Sequence, residues 1–251
     1  MKRPKACFIH VFKAGGTTVS DWLISQYPES DCPPNPAGFR ENKEDYLSAP
    51  RLRGHVYWPD VCDLRDRIFL TMVREPESLL MSALWHMISA TVDRRHVPYD
   101  SSFQDKLLEE AKTLVGRQRQ LGMIRFFIGE ELEPQESCIL SALENIHVVG
   151  LTERMRDSLR LFAWKLGCKA PRNINHARNS GAGALSLPRE IREIFREELR
   201  WDGFLYEAVR QRFDKDFAAL CDLAGAERNI DDYLDQHALA VFNSGKGVEI
   251  L

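Results

Sequence analysis

The sequence lacks a long hydrophobic run. Its first apolar stretch, Ala6 to Phe12, is broken by Lys13, far short of the roughly 18 to 20 residues of a membrane span and too short for a signal peptide. It lacks an excess of either charge. A formal net charge of −3 over 251 residues provides no overall electrostatic basis for a nucleic-acid or membrane-surface partner, so any anion site has to be local. There is no Asn-x-Ser/Thr acceptor and no CxxC pair. Cys7, Cys32, Cys62, Cys138, Cys168 and Cys221 are scattered and read as free thiols of a reducing compartment. The histidines show no metal-ligand spacing, which argues against a structural zinc site. Together these absences predict a soluble, unexported, cytoplasmic protein.

What is present is enough apolar material, 44% of residues, for one sizeable core. The chain reads as one domain over residues 1–251, with a core of about residues 6–224 and a weakly patterned tail at 225–251. Ala6 to Phe12 has the near-continuous hydrophobicity of a buried parallel strand. Thr17 to Tyr27 comes next as a helix, with Val19, Trp22, Leu23 and Tyr27 at helical spacing and Thr17 or Thr18 available as its cap. Pro28 to Pro50 is dense in turn residues and reads as an irregular excursion. Further strands are expected at Gly54 to Trp58, Arg67 to Val73 and His147 to Leu151. Further helices are expected from Pro76 to about Ala90, Phe103 to Ile128, Pro134 to Leu143, Arg154 to Leu166, Pro188 to Leu199 and Phe204 to Leu223. Asp93 to Ser102 and Ala170 to Gly183 read as loops. Strands alternating with helices predict an α/β fold, a P-loop-like three-layer arrangement with a central parallel sheet flanked by helices.

Lys13-Ala14-Gly15-Gly16-Thr17-Thr18 lies between the first strand and the first helix, where backbone N–H groups and the helix dipole converge on an anion. Two glycines let the backbone approach a ligand, two hydroxyls add donors and Lys13 adds a full charge. The order is not that of the nucleoside-triphosphatase loop, in which lysine follows the last glycine; an ordinary strand-to-helix turn would also use glycine here. Arg74 ends the third expected strand, at a second strand-to-helix junction, with Ser82 eight residues on. Parallel strands put their C-terminal ends on one sheet edge, so Arg74 and Lys13 can meet around one ligand with two separated phosphate-like groups. Each residue alone has a plainer reading, Arg74 as a surface ion-pair residue and Ser82 as a helix serine.

With these motifs the sequence resembles the carbohydrate sulfotransferases of the heparan sulfate 2-O-sulfotransferase type and their soluble bacterial relatives. FIHVFKAGGTT is similar to that family's 5′-phosphosulfate loop, FIHIPKTGGTS. TMVREPESLLMSAL resembles its 3′-phosphate motif, an Arg-Asp-Pro with a serine eight places after the arginine. VVGLTERMRDSLRLF and LPREIREIFREELRWDGFLYEAVRQRF resemble later segments, so the resemblance reaches from about residue 6 to about residue 217. It departs from the family at Phe12 (usually proline), Ala14 (threonine), Glu75 (aspartate) and Arg53, where the family segment often reads His-Gly-His.

The resemblance implies 3′-phosphoadenosine-5′-phosphosulfate (PAPS) as sulfuryl donor, its product PAP, no required metal, no nucleic-acid partner and a hydroxyl acceptor on a carbohydrate or glycolipid. It assigns Lys13, Ala14, Gly15, Gly16, Thr17, Thr18, Arg74 and Ser82 to the donor. Lys13 stabilises the leaving group and His55, in RGHVYW, is the candidate base. A lone histidine is otherwise a structural hydrogen-bonding residue, and Asp60 is the nearby carboxylate that would replace it as base. His86 reads as packing or capping. Arg172, Asn173, Asn175 and Arg178 read as a solvated loop that could fold over the adenosine, and Glu153 and Arg154 as the first turn of a helix. The rival readings are a P-loop kinase or nucleotidase using ATP and magnesium, and a non-catalytic module that binds PAP or a glycan.

Overall fold

Four short segments, apolar in the main except for β2, pair into one all-parallel sheet in the order β2-β1-β3-β4: β1 (Lys5–Ile9), β2 (Arg51–Gly54), β3 (Arg67–Val73) and β4 (Val148–Leu151). The computed structural model describes residues 4–27, 49–64, 66–91, 101–116, 122–130, 132–172 and 186–244. All seven residues of β3 are buried, as expected of a parallel strand covered on both faces. Thr71, its one uncharged polar residue, donates its hydroxyl to the Ile9 carbonyl of β1 at 2.9 Å.

Alternation along β3 sends Phe69 and Met72 to opposite faces. On one, Phe69 meets the ring of Trp58 edge-on at 5.0 Å, in the short helix α2 (Trp58–Val61). On the other lie α1 (Gly16–Gln26) and α7 (Met155–Leu166), joined by Trp22 and Phe162 with ring centroids 6.4 Å apart. α7 approaches the sheet so closely that a Cβ on Gly150 would stand 2.4 Å from Met72 Sδ and 2.7 Å from Ser158 Cβ. Between β3 and β4 the chain forms α3 (Pro76–Thr91), α4 (Ser101–Gly116), α5 (Ile124–Ile128) and α6 (Glu136–Asn145). After α7 come α8 (Arg189–Ile194), α9 (Arg196–Ala224) and α10 (Ile230–Ser244). The fold is therefore α/β, a four-stranded parallel sheet packed against helices.

Strand order determines where a ligand can enter. β1 leads through α1 to β2 on one side, whereas β3 leads to β4 on the other. The loops leaving these two neighbouring strands diverge and open a crevice at their C-terminal ends.

Several elements differ from the sequence expectation. β2 ends at Gly54 instead of beginning there, because Arg51 and Leu52 pair with Ala6 and Cys7 while Pro59, lacking an N–H, opens α2. The helix expected over Phe103 to Ile128 is two helices, α4 and α5. Asp202 supplies the reason, since its buried carboxylate accepts the Met123 and Ile124 N–H groups at 2.9 Å each and starts a new helix there. α8 stops at Ile194, and Gly203 does not interrupt α9, which runs for 29 residues. The roughly 1 kcal/mol a mid-helix glycine costs is outweighed by the buried row Leu205, Val209, Phe213, Phe217 and Leu220. The tail is not featureless either. Ile230 and Leu234 of α10 are fully buried in the main core, and Asp231 accepts from Arg156 and Arg160 of α7 at 2.8 Å each. Among the described residues no helix is long and apolar enough to cross a membrane.

Candidate functional site

The loop from His10 to Gly15 owes its shape to two left-handed residues. Lys13 has φ 61° and Gly15 φ 77°, and Lys13 is the one described residue other than glycine with positive φ. For a side chain as large as lysine this conformation is strained by roughly 1–2 kcal/mol, a feature that concentrates at functional positions. Gly15 is the N-cap of α1. Neither Thr17 nor Thr18 caps the helix, contrary to the sequence expectation: no side chain does, and no acidic residue stands in its first turn. The first N–H groups of a helix have no intrahelical acceptor, so this end presents donors and a positive partial charge. Gly16 is required for a different reason. A Cβ there would lie 1.9 Å from His10 Nε2, because the imidazole lies against the start of the helix.

Arg74 comes directly after β3, half-buried, and donates from Nη1 to the Lys13 carbonyl at 3.3 Å. Burial lowers its pKa from the ordinary value, opposed by the charges of Glu153 and Glu75, and the guanidinium stays charged at neutral pH. The neighbouring backbone is held firmly. The Glu75 N–H donates to Glu153 Oε1 at 2.8 Å, while the Glu75 carboxylate accepts from the Glu77 and Ser78 N–H groups at 3.1 and 2.7 Å, capping α3. Glu153 itself lies in a 3₁₀ turn, Thr152–Arg154, one step before α7.

His55 stands just past β2, with its ring exposed. Its Nδ1 is 2.8 Å from the His10 carbonyl, which can only accept, so Nδ1 carries a hydrogen and Nε2 is the acceptor whenever the ring is neutral. The His10 N–H donates to the Gly54 carbonyl at 2.8 Å, tying the two histidine backbones together, and their rings stack at 4.4 Å. Burial, then the charges of His55, Arg53 and Lys13, push His10 down to about 4, so it is neutral at pH 7.

These elements enclose a cavity of about 430 Å³. Of the residues singled out in the sequence, Lys13, Gly15, Gly16, Thr17, Thr18, His55 and Arg74 line it together. Ala14 is fully buried behind the loop, its N–H bonded to the Val11 carbonyl at 3.3 Å. Ser82 is 2% exposed and is not among the lining residues; it lies one helical turn before His86, which is. His86 meets Phe12 edge-on at 5.6 Å, so its surroundings are those of the cavity as well as of helix packing.

Phe12, noted in the sequence only as a departure from the family's proline, also lines the cavity, as do His10, Asp21, Thr152 and Met155, which went unnoticed in the sequence. Two of them left a signal there. Asp21 lies four residues after Thr17, on the same face of α1, and Thr152 succeeds a parallel strand, so its place at this sheet edge was implied. Asp60 is in α2 and is not among the lining residues. Arg172 forms an ion pair with Asp235 of α10. Asn173, Asn175 and Arg178 lie outside the described residues, as do residues 28–48 of the expected irregular excursion and 93–100 of the loop expected at Asp93 to Ser102. No protein-family model matches the chain, and a search of curated proteins also finds no match.

Proposed function

We propose that this chain is a sulfotransferase that moves a sulfuryl group from PAPS to a hydroxyl acceptor, a carbohydrate in the enzymes its motifs resemble. The observation that carries this reading is the meeting of Lys13 and Arg74. They are two cations from neighbouring strands, linked by the 3.3 Å hydrogen bond from Arg74 to the Lys13 carbonyl. Both line one cavity with an uncapped helix start and His55, whose Nδ1 faces the His10 carbonyl and leaves Nε2 as the acceptor of the neutral ring. PAPS carries two separated anionic groups, and two cationic anchors suit it. The helix start and Lys13 suit the 5′-phosphosulfate, Arg74 the 3′-phosphate.

In this reading His55 Nε2 takes the proton of the acceptor hydroxyl while that oxygen forms its bond to sulfur. The bond from sulfur to the bridging oxygen breaks, its electron pair stays on that oxygen, and the Lys13 ammonium meets the charge as it develops. Such a donor counts most in the transition state, when the charge is greatest. Neutral His10 behind the base keeps a second positive charge away from an imidazole that has to become cationic.

The test is thermal stability with PAP, AMP and ATP, the last with and without magnesium. At a hundredfold excess over the dissociation constant, PAP adds about 2.7 kcal/mol, a shift of roughly 2–4 °C per kcal/mol for a domain of this size. A metal-independent shift with PAP that AMP does not match is the expected result. A shift confined to ATP with magnesium would replace this reading with a kinase.

A further inference from the structure

The acceptor can be narrowed, on the sulfotransferase reading, from what surrounds His55. Phe12 lines the cavity, its ring 5.9 Å from that of His55 and 5.6 Å from that of His86. Phe126 stands 6.1 Å from His55, with Tyr57 a further 5.3 Å beyond it, and His10 stacks at 4.4 Å. The histidine that receives the acceptor's proton is therefore set among rings. Of the two phenylalanines beside His55, Phe12 is the one that lines the cavity with it. Aromatic faces favour another flat apolar face, either an aryl ring or the C–H face of a sugar.

Charge points the same way. Among the described residues that line the cavity, the side chains with a fixed positive charge are Lys13 and Arg74, and Asp21 adds a carboxylate. The 3′-phosphate of the donor alone carries roughly −1.5 to −2, and the phosphosulfate adds more. Both cations are matched once the donor is in place. A sulfate or carboxylate on the acceptor would then face Asp21 and the bound donor with no third Lys or Arg among the described lining residues, Arg53 acting on His10 from outside that lining, a costly arrangement in a partly desolvated site.

We propose that the acceptor is an uncharged ring compound whose hydroxyl is presented to His55 with the ring face laid on Phe12, and that Phe12 sets this preference. Proline, the family's usual residue at this position, has no aromatic face to offer. The inference rests on the sulfotransferase reading, and PAP binding tests that reading separately.

The experiment is calorimetric titration of the PAP-saturated full chain, a dead-end complex that reports acceptor binding without turnover. Three probes are used: 2-naphthol, cellohexaose, and a hexasaccharide of alternating glucuronate and N-acetylglucosamine. The expected result is that 2-naphthol or cellohexaose binds and the glucuronate hexasaccharide binds at least about tenfold more weakly. Which of the two uncharged probes binds more tightly tells an aryl acceptor from a sugar. Phe12→Leu, which keeps apolar volume and loses the ring, weakens the uncharged probe by about five- to tenfold when the variant is titrated saturated with PAP.

Tighter or equal binding of the glucuronate hexasaccharide overturns the proposal. So does a Phe12→Leu protein with unaltered acceptor affinity, or a wild-type complex that binds neither uncharged probe. PAP binding by the variant shows that it is folded; if it does not bind, the wild-type comparison of charged and uncharged probes decides alone. Failure of the wild-type chain to bind PAP sinks the sulfotransferase reading first, and this inference with it.

Discussion

At the C-terminal edge of the sheet, charge lines a cavity; in the helical cover on α7, α9 and α10, it is paired with charge. Arg74 donates to a carbonyl, and Lys13 holds a strained left-handed conformation beside an uncapped helix start. In the cover, Arg154 reaches Asp157 and Asp214, and Arg160 reaches Asp157 and Asp231. Arg154 also lies 4.7 and 4.8 Å from the ring centroids of Phe213 and Phe217. The first region turns its charge toward a cavity, and the second pairs it within the chain. Substitutions in the two regions should therefore move different observables.

The largest expected effect belongs to the first region. Lys13→Ala lowers turnover from PAPS by about 10²–10³, by analogy with loss of one preorganised oxyanion donor, and His55→Ala lowers it by at least about 10². Neither should lower the unfolding midpoint in urea appreciably. Lys13→Gly sharpens the contrast, because glycine adopts φ 61° without the steric penalty. That protein should be as inactive as the alanine variant yet no less stable than the wild type. A Lys13→Gly protein that is both active and unstable would erase the distinction between the regions.

Next in size is Asp202, a buried carboxylate of the cover. Burial pushes it up to about 7, the two backbone N–H bonds to Met123 and Ile124 opposing only part of that. Proton binding sets the sign. Between the ordinary carboxylate range and about pH 7 the folded chain holds a proton that the unfolded chain has released. This stabilising contribution is full below about pH 4 and is lost as pH rises through about 7. Asp202→Asn cannot titrate, so the wild type's stability relative to this variant should fall by roughly a few kcal/mol between pH 4 and 8 in urea denaturation. Asp202→Ala leaves both N–H groups without their acceptor and should cost roughly 2–4 kcal/mol at any pH in that range. Activity per folded molecule should survive better than in the Lys13 variants, although Met123, whose Sδ accepts the Arg74 N–H at 3.4 Å, connects the two regions.

The cavity edge was more legible in the sequence than the cover. Ala6 to Phe12 and Arg67 to Val73 are apolar runs that only a buried strand explains, and the turn out of each is set by local chemistry, Gly15-Gly16 after one and Pro76 after the other. Parallel pairing then brings Lys13 and Arg74 to one edge with no further information. Unreadable were the contacts made across the chain. Nothing local places the His10 ring against Gly16, or gives His55 the carbonyl that fixes its tautomer. In the cover, the break before α5 depends on a carboxylate 79 residues from Met123, and α9 runs through Gly203 because its apolar row finds a groove. Ser82 shows the limit on the other side. Its spacing from Arg74 fits a phosphate motif, but two turns into α3 its side chain is buried and absent from the cavity lining.

The smallest expected effect tests whether α10 belongs to the cover. Burial raises the Asp231 carboxyl, but hydrogen bonds and charge from Arg160 and Arg156 more than offset it, leaving its pKa below the ordinary value. A depressed carboxylate stabilises at pH values above the unfolded pKa and loses that contribution as pH falls through the folded one. Arg160 is 9% exposed in its side chain and, among the described residues, keeps Asp157, at 3.4 Å, as its carboxylate partner once Asp231 is gone. Asp231→Ala should therefore cost roughly 1–2 kcal/mol at pH 7, more than a surface ion pair and less than a fully buried one. The deficit should shrink as pH drops below 4, where the wild-type carboxylate is protonated as well. Hydrogen exchange gives the location: faster exchange in α10 and the facing turns of α7, with α1 and the loop around Lys13 unchanged, would keep the two regions distinct. Faster exchange around Lys13 would mean that the cover and the cavity edge open as one unit.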